Sequence, residues 1–236
     1  MGRIFSLDSP LMQFLNKVAD LMILNLITLI CCLPIVTAGA SMTAMHYVLL
    51  RYARKEEGYT VKPFFKAFKE NFVQATIEWL IMLAVGIIFA LDIIIMRRST
   101  GFPSFLKYAV IGIAILTYIL VQLVFPLQMR FVNPVKTTFK NALIMSIAHL
   151  PRVFLMALIS LAPIVLQLLS FQLTPIIIMF GMSVPGLACA YIYSPIFKKF
   201  EPEEEVIDHP DEAFFISDEM LPEQQPEENT TEGDSK

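Results

Sequence analysis

Long apolar stretches constrain this chain more strongly than any other feature of its sequence. Five of them approach the roughly 20 residues that an α-helix needs to cross the hydrocarbon core of a bilayer. They lie at about 10–33, 75–96, 105–125, 153–169 and 175–193. Hydrophobic residues make up 56% of the chain and charged residues only 17%, whereas a soluble domain carries about 25% charged residues. The sequence therefore predicts an all-α, polytopic membrane protein with the bilayer as its solvent.

A break after the first apolar stretch decides how many helices cross the membrane. Pro34 ends the first helix, and the segment Thr37-Ala38-Gly39-Ala40-Ser41 precedes a second helix at 41–55, which Ser41 is predicted to cap. The uncharged part of this second helix is short, so it is either a short return helix or a re-entrant segment. We expect a bundle of five to six transmembrane helices, with six preferred. Glycines and a proline between positions 181 and 186 predict a kink in the last span.

Two basic segments that connect the spans are predicted to form amphipathic elbows at the membrane surface. In the first, residues 60–72, the four phenylalanines share one helical face and the lysines lie elsewhere. The second, residues 135–149, is also basic and amphipathic. We expect both elbows on the cytoplasmic side.

Charge divides the chain into a membrane domain and a tail. Residues 1–200 carry 17 Lys and Arg against 7 Asp and Glu, a net charge of +10. Residues 201–236 carry 14 Asp and Glu and one Lys, a net charge of −13. Because this tail combines high net charge with few apolar residues, we expect it to be disordered and cytoplasmic.

The distribution of Lys and Arg in short loops predicts the orientation, since basic loops stay in the cytoplasm. Residues 51–70 hold six basic residues and residues 126–152 hold four, whereas the opposite side holds Arg97, Arg98 and Lys107. The C-terminus is therefore predicted to be cytoplasmic. Six crossings place the N-terminus there too, and five place it outside. The first apolar stretch is interpreted as an uncleaved span rather than a signal peptide.

Three acidic residues fall within the predicted spans, where ionisable groups are costly and are candidates for function. They are Asp20, Glu78 and Asp92. Glu78 and Asp92 are 14 positions apart, about 21 Å along one helix, so they cannot act as a pair. Each lies near a predicted span end, which favours an interfacial or ion-pair role over an ion or substrate path. Uncharged polar residues such as Asn25 are expected to join helices by hydrogen bonds.

No motif in the sequence names a reaction. The cysteines, Cys31, Cys32 and Cys189, lack metal-ligand spacing, and the histidines lack the spacing of a zinc helix. A glycine-rich phosphate loop and a nucleophile elbow are also missing from the sequence. We therefore expect no enzymatic activity, no cofactor, no metal and no nucleic-acid partner.

Several short segments of the membrane domain form a specific pattern. They are Phe5-Ser6-Leu7-Asp8-Ser9-Pro10, Ala19-Asp20-Leu21, Asn25-Leu26, Leu33 to Ser41, Phe68-Lys69-Glu70-Asn71-Phe72, and Asp92. On these segments the chain resembles the YesL-like family of bacterial integral membrane proteins over about residues 1–200, most specifically between Pro34 and Ser41. The acidic tail lies outside the family pattern.

The resemblance implies a role without a known reaction, because that family has no established biochemical activity. Its members often occur beside sugar-uptake transporter components and carbohydrate-degrading enzymes, mostly in Gram-positive bacteria. It implies a plasma-membrane accessory or assembly component in carbohydrate uptake or utilisation. The expected partners are the lipid bilayer and either sugar importer subunits or a second copy of the chain.

The alternative is a small transporter or channel, since a broken helix exposes backbone groups that can bind a substrate at membrane depth. The candidate functional residues are Asp20, Pro34, Thr37, Gly39, Ser41 and Asp92.

Overall fold

The computed structural model describes residues 10–56, 58–98, 103–131 and 133–200, and the predictions for the tail at 201–236 lie outside these residues. The structure is about 90% helical, with no β-strand in the described part. Its α-helices are α1 (Pro10–Cys32), α2 (Ala38–Ala53), α3 (Val61–Arg98), α4 (Ser104–Leu120), α5 (Val124–Arg130), α6 (Val135–Ala148), α7 (Leu150–Leu169), α8 (Thr174–Phe180) and α9 (Ser183–Phe197). One-turn 3₁₀ helices precede α2, α5 and α8, at Ile35–Thr37, Val121–Leu123 and Phe171–Leu173.

The described residues contain four to five helical segments that are long and apolar enough to cross a membrane. Four are continuous: Leu11–Cys32, Val61–Arg98, Phe105–Arg130 and Leu150–Leu169. The fifth is the pair α8 and α9, which is bent by 54° at the position where the sequence predicts a kink. The prediction of an all-α membrane protein is thus confirmed at the level of its class.

Helix α2 lies at the centre of the bundle, in contact with α1, α3, α5 and α9. Ten of its 16 residues are buried, which is the usual environment of an apolar run too short to span a membrane. The helix begins at Ala38, three residues before the predicted start. Ser41 therefore lies inside α2 and does not cap it. The core around α2 includes the fully buried side chains of Leu49, Tyr193 and Phe197.

Helix α3 is one continuous helix of 38 residues, about 57 Å long at 1.5 Å per residue. The predicted elbow at 60–72 is its N-terminal part and not a separate helix, because Pro63 sits in the first turn, where proline is tolerated, and no breaker follows. The side chain of Phe64 is fully buried and Phe68 packs against the core. The aromatic face of the predicted elbow thus packs on the protein at these two positions.

The outer surface of the bundle is apolar, as expected of a chain that has lipid as its solvent. In the most apolar 18-residue window of α3, no residue is buried within the protein. Ile87, Ile88 and Ile95 expose 51%, 57% and 53% of their surface. Such a surface on a soluble protein would drive aggregation. This surface therefore suits a bundle that is surrounded by lipid.

Candidate functional site

The break between α1 and α2 is closed by hydrogen bonds from the chain itself. The hydroxyl oxygen of Thr37 lies 2.6 Å from the carbonyl oxygen of Cys31 and 2.9 Å from that of Pro34, so its hydrogen serves both. The indole N–H of Trp79 on α3 donates to the carbonyl oxygen of Ile35 at 2.7 Å. These donors satisfy carbonyl groups that a helix end leaves without partners.

Gly39 and Ser41 explain why this segment needs small residues. A Cβ atom at Gly39 would lie 2.2 Å from the carbonyl oxygen of Ala75 and 2.5 Å from the Cβ of Trp79, so only glycine lets α2 approach α3 this closely. The Ser41 hydroxyl donates to the carbonyl oxygen of Thr28 on α1 at 2.9 Å. Four sequence-predicted candidates, Pro34, Thr37, Gly39 and Ser41, therefore belong to one hairpin with a packing role.

Asp20 and Asp92 lie in different parts of the molecule. The carboxylate of Asp20 accepts a hydrogen bond from the Thr60 hydroxyl at 3.0 Å, and Thr60 is also bonded to the Tyr52 hydroxyl. This chain of contacts ties α1 to the loop between α2 and α3. Asp92 is half-buried and lies about 45 Å further along α3, so the structure does not combine the two carboxylates in one site.

At the bend between α8 and α9, the side chain of Asn25 forms hydrogen bonds with backbone groups of both helices and of a residue between them. Its amide N–H donates to the carbonyl oxygen of Ile178 at 2.7 Å. Its amide oxygen accepts from the backbone N–H groups of Met182 and Ser183, each at 2.8 Å. Asn25 is fully buried, and its hydrogen bonds join the end of α8 and the start of α9 to α1. The expected helix-joining role of this asparagine is confirmed, but its partners are backbone groups at a helix break.

A cluster of uncharged polar side chains forms where α3, α5 and α6 meet. Gln128 of α5 donates from its amide nitrogen to the Gln74 amide oxygen at 2.6 Å and to the Asn71 amide oxygen at 3.5 Å. The Thr138 hydroxyl of α6 donates to the Gln128 amide oxygen at 3.1 Å. Gln128 and Thr138 are both buried. With Glu78, which follows Gln74 by one helical turn on α3, these residues are termed the polar cluster.

Glu78 is the acidic member of the polar cluster, and its environment differs from the sequence-based expectation. The side chain has 0% exposure, and neither carboxylate oxygen has a hydrogen-bond partner among the described residues. The expectation that water or lipid headgroups solvate Glu78 near a span end is therefore wrong. The neighbouring helices cover this part of α3, and Thr138 of α6 lies beside the carboxylate.

A pocket of about 300 Å³ lies next to the polar cluster. Polar residues from α3 and the end of α5 form most of its wall. The lining includes Glu70, Asn71, Gln74, Gln128, Arg130 and Phe131. Gln74 and Gln128 thus belong to both the pocket and the cluster. Within the described residues, no group of three or more His, Cys, Asp or Glu side chains is arranged to hold a metal ion.

The sequence-based candidates did not include the polar cluster. One signal was available: positions 71, 74 and 78 recur at the spacing of one helical face, although they start from the predicted elbow and enter the span. Their partners are 54 and 57 positions away on α5, and no local pattern indicates that pairing.

Fold and site together define a polytopic α-helical membrane protein with a cluster of polar side chains buried between its helices. A family model described as "Protein of unknown function, DUF624" matches residues 21–93, and this is the family to which YesL belongs. The matched segment contains Asn25, the Pro34 break and Glu78. No curated protein and no solved structure matches the chain.

Proposed function

We propose that this protein is a YesL-like accessory or assembly component of the bacterial plasma membrane, without a reaction of its own, that works with a sugar importer. Two similarities support the proposal: the match of the DUF624 model at residues 21–93 and the resemblance of the wider membrane domain to the YesL-like family. The proposed partners are subunits of that importer or a second copy of the chain.

The observation that carries this proposal is the use of polar side chains at the two helix breaks. In transporters, broken helices leave backbone groups free to bind substrate or ions. In this chain the Thr37 hydroxyl donates hydrogen bonds to carbonyl groups at the first break. At the second break, the Asn25 amide forms hydrogen bonds with both carbonyl and N–H groups. Backbone groups that are hydrogen-bonded by side chains are not free to bind a substrate, and these bonds hold the helices of the bundle in place. Such an arrangement suits a scaffold better than a substrate path.

The proposed orientation places both termini in the cytoplasm. In this arrangement α2 returns the chain through the centre of the bundle, and α6 with its two lysines lies on the cytoplasmic side. The excess of basic residues at 51–70 and 126–152 supports it.

Reciprocal capture tests the accessory role. Cells are crosslinked before solubilisation in mild detergent, and the tagged chain is purified beside an unrelated polytopic protein with the same tag. We expect importer subunits to be enriched with this chain only, and a tagged importer subunit to recover the chain in return. Recovery of the chain without an importer subunit in both directions would contradict the proposal.

A second candidate function, a small transporter or channel, is favoured by the buried carboxylate of Glu78 beside a polar pocket. Flux measurements in proteoliposomes test it with the wild-type chain and with Asp20→Asn, Glu78→Gln and Asp92→Asn. A transporter is expected to lose flux in at least one of these variants. Absence of flux in the wild type, or flux unchanged by all three substitutions, rejects this function.

A further inference from the structure

The carboxyl group of Glu78 is buried, and no salt bridge to it is formed within the described residues. Its side chain has 0% exposure, and both of its oxygens lack a hydrogen-bond partner there. Removing a carboxylate from water without compensation costs several kcal/mol or more. A charged Glu78 therefore needs a compensating positive charge, and a neutral Glu78 needs a bound proton.

Two donor groups of the polar cluster have partners within the cluster. A threonine hydroxyl has one hydrogen, and that of Thr138 is directed to the Gln128 amide oxygen at 3.1 Å. The amide nitrogen of Gln128 has two hydrogens, directed to Gln74 at 2.6 Å and to Asn71 at 3.5 Å. With its hydrogen directed to Gln128, the Thr138 hydroxyl presents oxygen lone pairs beside the carboxylate.

We propose that Glu78 and the Thr138 hydroxyl bind a monovalent alkali cation, with the Gln128 amide oxygen as a further ligand. Carboxylate, hydroxyl and amide oxygens are the donors that hard cations prefer. One carboxylate among neutral oxygens balances one positive charge, whereas a divalent ion would leave an uncompensated buried charge. The single acidic side chain of the cluster therefore selects the monovalent class.

The pocket of about 300 Å³ supplies the approach to this site. Gln74 and Gln128 line the pocket, and Glu78 lies one helical turn beyond Gln74 on α3. Glu78 and Thr138 do not line the pocket themselves, so a cation has to pass the amide side chains of its wall to reach them. This inference is independent of the accessory function, because a cation can stabilise the bundle whether or not the chain binds an importer.

Thermal unfolding of the full chain in detergent tests the proposal, at constant pH and ionic strength, in NaCl, KCl or N-methyl-D-glucamine chloride. A ligand that binds only the folded state raises the Tm, and we expect an increase of about 3 °C in at least one alkali chloride over the organic cation. Glu78→Gln should abolish this difference. Asp92→Asn is the matched control, since Asp92 is a half-buried carboxylate on the same helix, about 21 Å beyond Glu78 and outside the pocket wall, and it should keep the difference.

Direct binding of radioactive sodium to the wild-type chain keeps the proposal falsifiable if Glu78→Gln fails to fold. Saturable binding that non-radioactive NaCl displaces is the expected result. Equal Tm values in all three salts without saturable sodium binding overturn the proposal. So does a salt-specific shift that persists in Glu78→Gln, or a wild-type Tm that follows pH but not the identity of the cation, since a proton would then be the occupant.

Discussion

The amide oxygen of Asn25 on α1 accepts a hydrogen bond from the backbone N–H of Ser183, the first residue of α9, at 2.8 Å. The same oxygen accepts from Met182, and the amide N–H donates to Ile178. One side chain thus replaces the intrahelical hydrogen bonds that the bend between α8 and α9 removes. The stability of the last span therefore depends on a residue near the start of the chain.

Replacing Asn25 with leucine should destabilise the bundle by about 2–3 kcal/mol, because three hydrogen bonds to buried backbone groups are lost and those groups stay buried. Thermal unfolding in detergent, or unfolding by a denaturing detergent, measures the change. The matched control is Asn16→Leu, an exposed position on the same helix, which should change stability by less than about 0.5 kcal/mol. Equal effects at the two positions would refute a special role for Asn25.

Alanine substitutions at two glycines, Gly39 and Gly86, should differ in their effect on the stability of the protein. Gly39→Ala places a methyl group 2.2 Å from the carbonyl oxygen of Ala75, and we expect a loss of about 3 kcal/mol as α2 is pushed from α3. At Gly86 no atom lies within 4 Å of a new Cβ, so Gly86→Ala should be neutral or stabilise α3 by up to about 1 kcal/mol. Size-exclusion profiles and Tm values of the two variants provide the comparison. A stable Gly39→Ala variant would contradict the close helix contact.

Asp20→Asn should be tolerated, with a change in stability below about 0.5 kcal/mol, because the amide oxygen still accepts the hydrogen bond from Thr60. Asp20→Leu removes the acceptor and should cost about 1 kcal/mol. Thermal unfolding of the two variants separates a hydrogen-bonding role from an ionic one. If asparagine is as damaging as leucine, the charge of Asp20 matters and the ion-path interpretation regains support.

Single cysteines test the orientation. In a background with alanine at Cys31, Cys32 and Cys189, Thr100→Cys should react with a membrane-impermeant maleimide in intact cells. Phe5→Cys should react only after the cells are permeabilised, because six segments place the N-terminus inside. Labelling of both positions in intact cells would favour five crossings, with α2 as a re-entrant helix.

The sequence by itself determined the class of the protein and the positions of its breaks. The length of an apolar stretch relative to the bilayer is a local property, so the spans near α1, α3, α4 and α7 follow from composition alone. Proline and glycine also act locally, which is why the interruption at Pro34 and the bend near Gly181 are both predictable. The continuity of α3 from Val61 through residue 75 is not predictable in this way, because an amphipathic segment and the apolar span after it can form one helix or two.

Only the tertiary structure decided which polar groups meet. Asn25 reaches its partners across 153 to 158 positions of sequence, and Gln128 reaches Gln74 across 54. Burial of Glu78 depends on α3, α5 and α6 packing together, and the central position of α2 depends on the helices that surround it. Hydropathy is a property of one segment in its solvent, whereas burial and tertiary hydrogen bonds depend on contacts between segments. For that reason the sequence predicted a helix bundle in the bilayer, and the packing of that bundle placed a carboxylate inside it.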